Sequence, residues 1–82
     1  MSRLNFAYLS SDVPDKTCTF KVGDGTGGSE VNIGDQTDHD CINACKQRRK
    51  TDASINGVTI RQDGAGGCWC EKKMTGFSKS WA

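Results

Sequence analysis

A chain of 82 residues is one small domain, and at 34% apolar residues with a mean hydropathy of −0.62 it has too little apolar surface for a self-sufficient core. Ten glycines and five cysteines point to a loop-rich fold held by covalent bridges or a metal. Eleven basic against ten acidic residues leave a net charge of +1, which excludes a nucleic-acid-wrapping protein and a polybasic membrane-lytic peptide. No apolar run approaches the roughly 18 residues needed to insert across a membrane.

Leu4 to Leu9 alternates apolar and polar residues, suiting a strand, until Ser10, Ser11, Asp12 and Pro14 end it. Residues 1–16 are therefore expected as an N-terminal extension or edge strand, and 17–82 as the cysteine-rich module. Met1 to Leu9 lacks the continuous apolar run of a signal peptide. Thr17 to Val22 predicts a strand with Cys18, Phe20 and Val22 on one face. The run from Gly23 to Gly28 predicts a turn or mobile loop, because fixing glycine costs so much backbone entropy. Val31 and Ile33 suggest a short strand. Thr37 reads as the N-cap of a helix over about 38–50, with Asp38 and Asp40 at its positive end and Lys46, Arg48, Arg49 and Lys50 at its negative end. A strand over 56–61, a hairpin loop over 63–67 and a returning strand over 68–72 follow. Phe77 and Trp81 form an apolar tail.

Cys41 and Cys45 lie four residues apart, about 6 Å along a helix face. Cys68 and Cys70, two apart on a strand, are separated by about 6.6 Å on one face. A helix lying along the strand can thus form two parallel bridges, Cys41 to Cys68 and Cys45 to Cys70, and the crossed pairing demands the opposite polarity of the two elements. Closing the first loop stabilises the fold by roughly 3–4 kcal/mol in the chain-entropy model. A zinc site from the same four cysteines, and reduced buried thiols, are the alternatives, although CxxxC and CxC suit zinc knuckles poorly. Cys18 is left unpaired within the chain. It implies either a dimer through Cys18 or a sixth cysteine beyond Ala82 in a longer natural domain.

The helical Cys41/Cys45 pair, the strand Asn-Gly-Val-Thr-Ile at 56–60 and the Gly-Ala-Gly-Gly-Cys-Trp-Cys run at 64–70 together resemble the second half of a WSC domain or a related PAN/apple-like module. The likeness covers residues 38–72, although WSC modules usually carry more than five cysteines. It implies an extracellular domain that binds carbohydrate or protein. The same staple is similar to the cysteine-stabilised αβ motif of defensins and scorpion-type toxins, which implies a secreted effector, but this chain is long for that group and nearly neutral.

Trp69 lies between two cysteines, so on a strand it faces away from the helix, where an aromatic ring can stack on a sugar or a partner's apolar patch, or pack under other aromatics. Arg48 and Arg49, with Lys46, Lys50, Lys72 and Lys73, are candidates for a basic patch that reads a sulfated polysaccharide; a solvated helix end is the plainer reading. Asp24, Asp35, Asp38 and Asp40 are candidate calcium ligands without EF-hand spacing. His39 is the sole histidine and stands two residues from Cys41, a spacing that aims them apart on a helix. No catalytic constellation, phosphate-binding motif or cofactor motif emerges.

The expectation is a small disulfide-rich α+β domain, one helix stapled to an antiparallel β-sheet, secreted or extracellular and non-catalytic. Its expected role is recognition of a glycan or an extracellular protein near Trp69, Arg48, Arg49 and Lys72, as a monomer or a Cys18-linked dimer. A defensin-like effector and a structural module of a larger extracellular protein are the alternatives.

Overall fold

The computed structural model describes residues 4–9, 20–34, 36–61 and 67–78. The expectations for Cys18, residues 17–19 of the 17–22 strand, Asp35, residues 63–66 of the hairpin loop and Trp81 lie outside these residues. The elements in chain order are β1 (Leu4–Tyr8), β2 (Lys21–Val22), β3 (Asp24–Thr26), β4 (Ser29–Asn32), α1 (Asp38–Arg49), β5 (Ile55–Arg61), β6 (Cys68–Lys72) and β7 (Gly76–Ser78). Two antiparallel sheets form: five strands in the order β2-β1-β5-β6-β4, and a ribbon of β3 and β7. The protein is a small disulfide-rich α+β domain.

Helix α1 starts where its cap dictates. The Thr37 hydroxyl accepts the Asp40 N–H at 3.3 Å, and the Thr37 carbonyl accepts the Cys41 N–H at 2.8 Å. One face of the helix carries Cys41, Ile42 and Cys45 onto the sheet, against Ala7, Leu9, Ile55, Val58 and Ile60. The bridges are Cys41–Cys68 and Cys45–Cys70, with Cα separations of 5.7 and 5.4 Å. These are the parallel pairs that the spacing predicts, and α1 accordingly runs in the direction of β6.

In β5, Ile55 pairs with Lys72 and Gly57 with Glu71, so Asn56 is an extra residue opposite a single step of β6. This bulge keeps Ile55, only three residues before Val58, on the helix side, and it directs the Asn56 side chain to the backbone of Met74.

Two expectations are corrected. Leu4–Tyr8 is neither an extension nor an edge strand: it is hydrogen-bonded to β5 over its whole length and to β2 on its other side. The glycine run from Gly23 to Gly28 is not simply a loop, because Asp24–Thr26 forms β3 and pairs with the Gly76–Ser78 part of the expected apolar tail. The glycines make this possible. Gly23 (φ 143°) turns the chain out of the first sheet, and Gly27 and Gly28 (φ 101° and 59°) turn it back to the opposite edge as β4. Between these corners, Gly25 lies directly on Met74, Thr59 and Glu71, where a Cβ would collide with the Met74 sulfur. The domain therefore has three layers: helix, five-stranded sheet and two-stranded ribbon.

Candidate functional site

The face of the sheet away from α1 carries the polar and aromatic side chains. Period-two alternation places Phe6 and Tyr8 of β1, Gly57 and Thr59 of β5, and Trp69 and Glu71 of β6 on this face, in register with one another. The ribbon covers part of it. Phe77 of β7 stacks on Phe6 with ring centroids 4.7 Å apart and planes 19° apart, in the favourable range for offset aromatic pairs. Gly23 permits the stack, since a side chain there would press on both rings.

Beside the stacked pair opens a cleft of about 480 Å³ lined by Phe6, Tyr8, Lys21, Gly76 and Phe77, among others. Phe6 is buried, whereas Tyr8 and Phe77 are 51% and 49% exposed. The cleft thus offers two open aromatic faces, a phenolic hydroxyl and an ammonium group.

Across the same face, Asp24, Glu30 and Glu71 bring carboxylate oxygens within 4.8 Å of one another. Glu71 is 1% exposed, and its Oε2 accepts the Thr59 hydroxyl at 2.7 Å while Thr59 Oγ1 accepts the Gly25 N–H at 3.0 Å. Burial, augmented by the charges of Glu30 and Asp24, pushes the Glu71 carboxyl up to about 7 against the pull of the Thr59 hydrogen bond. Burial also raises Asp24, and burial with the Asp24 charge raises Glu30. The three carboxylates offer at most six oxygens, the lower end of the six to eight that calcium takes. Of the acids considered for calcium, Asp38 and Asp40 belong to the helix start, and only Asp24 joins this cluster.

The cysteine set Cys41, Cys45 and Cys68 also lies within ligand range, but these sulfurs are bridged and have no thiolate to offer zinc.

Trp69 faces away from the helix as alternation requires, half-buried between its neighbours Thr59 and Asn32. It does not line the cleft. Of the candidate basic residues, Lys72 pairs with Asp52 at 3.0 Å, Arg49 donates to the Leu9 carbonyl at 3.3 Å, Lys46 is 5% exposed, and Arg48 is exposed on the helix. The residues that sequence reasoning missed are Tyr8, Lys21, Phe77, Glu30 and Glu71. Alternation within Leu4–Tyr8 and within Cys68–Lys72 was the available signal for Phe6, Tyr8 and Glu71.

No helix of the described residues is long and apolar enough to cross a membrane. No family model, curated protein or solved structure matches the chain.

Proposed function

We propose that this protein is a non-catalytic extracellular recognition module that binds carbohydrate in the cleft between Tyr8 and Phe77. The observation that carries the reading is the pair of half-exposed aromatic rings bordering an open space of about 480 Å³, within the ~300–1,000 Å³ typical of small-ligand sites. The C–H face of a pyranose stacks on such rings, and its hydroxyls find partners in the Tyr8 hydroxyl and the Lys21 ammonium. Two disulfides in a domain this small support an oxidising, extracellular setting. This reading centres recognition on the β1–β7 side of the sheet, away from the sequence-based candidates Trp69, Arg48, Arg49 and Lys72.

The test is a glycan array of neutral and acidic oligosaccharides, followed by NMR titration of any hit. Tyr8→Ala and Phe77→Ala are expected to weaken binding at least about tenfold, with Trp69→Ala as the control outside the cleft. Absence of binding to any glycan at millimolar concentration, or affinity unchanged in both cleft variants, overturns the reading.

A further inference from the structure

Polar links tie the ribbon that supplies Phe77 to the cleft onto the sheet. Gly23 donates its N–H to the Leu4 carbonyl at 2.8 Å, Gly25 donates to Thr59, and the segment leading into β7 is tied through Met74 to Asn56. Asp24 shares a side-chain hydrogen bond with Thr59, Gly25 packs closely on Met74 and Glu71, and Phe77 stacks on Phe6; an electrostatic contact is added to these. Asp24 comes from β3, Glu30 from β4 and Glu71 from β6, so the three neighbouring carboxylates belong to three separate strands and two separate sheets.

Among the described residues, what faces Glu71 from the surrounding elements is acidic or neutral. Asp24 comes from β3 and Glu30 from β4; β5 presents the Thr59 hydroxyl and the bare Gly57; the β6–β7 segment presents Met74; and β7 consists of Gly76, Phe77 and Ser78. The following lysines do not neutralise it: Lys72 is paired with Asp52 at 3.0 Å, and Lys73 is exposed at the Gly28 corner. Three ionised carboxylates this close, one of them buried, repel one another strongly, whereas one retained proton removes a charge and supplies a donor for a carboxyl–carboxylate hydrogen bond.

We propose that Asp24, Glu30 and Glu71 form a proton-held latch that seats the β3–β7 ribbon on the sheet. Loss of the proton under neutral to alkaline conditions lifts the ribbon and, with it, the Phe77 wall of the cleft. The raised carboxyl of Glu71, about 7 against an ordinary 4.5, sets the range in which the latch works. A three-residue strand is an inexpensive element to release, since short peripheral units open at much lower free energy than the core. The effect on ligand binding rests on the carbohydrate reading, but the seating of the ribbon does not.

Amide hydrogen exchange of the unmodified protein from pH 5 to 8.5, corrected for intrinsic rates, reads the latch directly. Protection of the Gly23 and Gly25 amides, which donate to Leu4 and Thr59 of the sheet, is expected to fall about tenfold per pH unit up to about pH 7, while Val58 and Cys70 in the disulfide-tied layer hold theirs. Glu71→Gln is expected to flatten the ribbon's dependence. Should that variant not fold, Asp24→Asn combined with Glu30→Gln is expected to reduce the fall. Ribbon protection that tracks Val58 and Cys70 at every pH, a fall that persists in Glu71→Gln, or a fall that is undiminished in the double variant, overturns the latch. Ribbon opening with unchanged glycan affinity instead sinks the cleft reading and leaves the latch standing.

Discussion

The Asn56 side chain grips the backbone of Met74 from both sides, its Nδ2 donating to the Met74 carbonyl at 2.9 Å and its Oδ1 accepting the Met74 N–H at 2.7 Å. A bulge residue of the main sheet thereby fixes the start of the ribbon. Asn56→Ala strands two backbone groups and is expected to cost about 2–3 kcal/mol. Asn56→Asp, which keeps the acceptor and loses the donor, should fall between the two in urea denaturation.

Stability is expected to decline as pH rises across the range in which Glu71 titrates. Its folded value of about 7 lies above the ordinary 4.5, so the folded state binds more protons than the unfolded chain between these values. The slope of unfolding free energy against pH is therefore negative there. The contribution is fully present below about 4.5 and lost above about 7, a fall of roughly 3 kcal/mol. Urea midpoints at pH 4.5, 6 and 7.5 measure it, and Glu71→Gln should level the series.

Asp52 behaves in the opposite sense. Hydrogen bonds from Ser54, then Lys72, hold its carboxyl near 2, below the usual 3.8. Its contribution is present above about 3.8 and disappears as pH falls through about 2. Asp52→Asn should show a weaker loss of stability on acidification, read from thermal midpoints between pH 5 and 2.

Lys73 is a non-glycine residue at φ 52°, a conformation that crowds its Cβ against the backbone. Its N–H donates to the Ser54 carbonyl at 2.8 Å, a bond that needs no side chain. Lys73→Gly is expected to stabilise the fold by about 1 kcal/mol, raising the thermal midpoint by several degrees.

Removing one bridge with Cys45→Ala and Cys70→Ala should cost about 2–4 kcal/mol. Peptide mapping of the oxidised protein is expected to yield the 41–68 and 45–70 pairs. Linked peptides of the crossed pairs would contradict the parallel course of α1 and β6.

The staple was legible because helix rise and strand rise are fixed quantities, and two matching spacings leave few ways to join four sulfurs. Thr37 likewise announced the helix start, since its hydroxyl has a defined backbone donor to satisfy. The ribbon was not legible. Gly23, Gly25, Gly27 and Gly28 read locally as flexibility, but their value is tertiary: two corners and one close approach to Met74. The carboxylate cluster stayed hidden for the same reason, because Asp24, Glu30 and Glu71 meet only when three strands are assembled. The basic residues illustrate the converse: helix periodicity gathers Lys46 and Arg49 in sequence, but one is buried and the other is held by the carbonyl of Leu9.

Within Cys68–Lys72 the odd and even positions serve different layers, sulfurs toward the helix and Trp69 and Glu71 toward the ribbon. Inserting one residue between Trp69 and Cys70 would flip the residues that follow, sending the Cys70 sulfur in among the carboxylates and the Glu71 acid beneath the helix. The number of residues in this segment is thus under as strict a constraint as their identity.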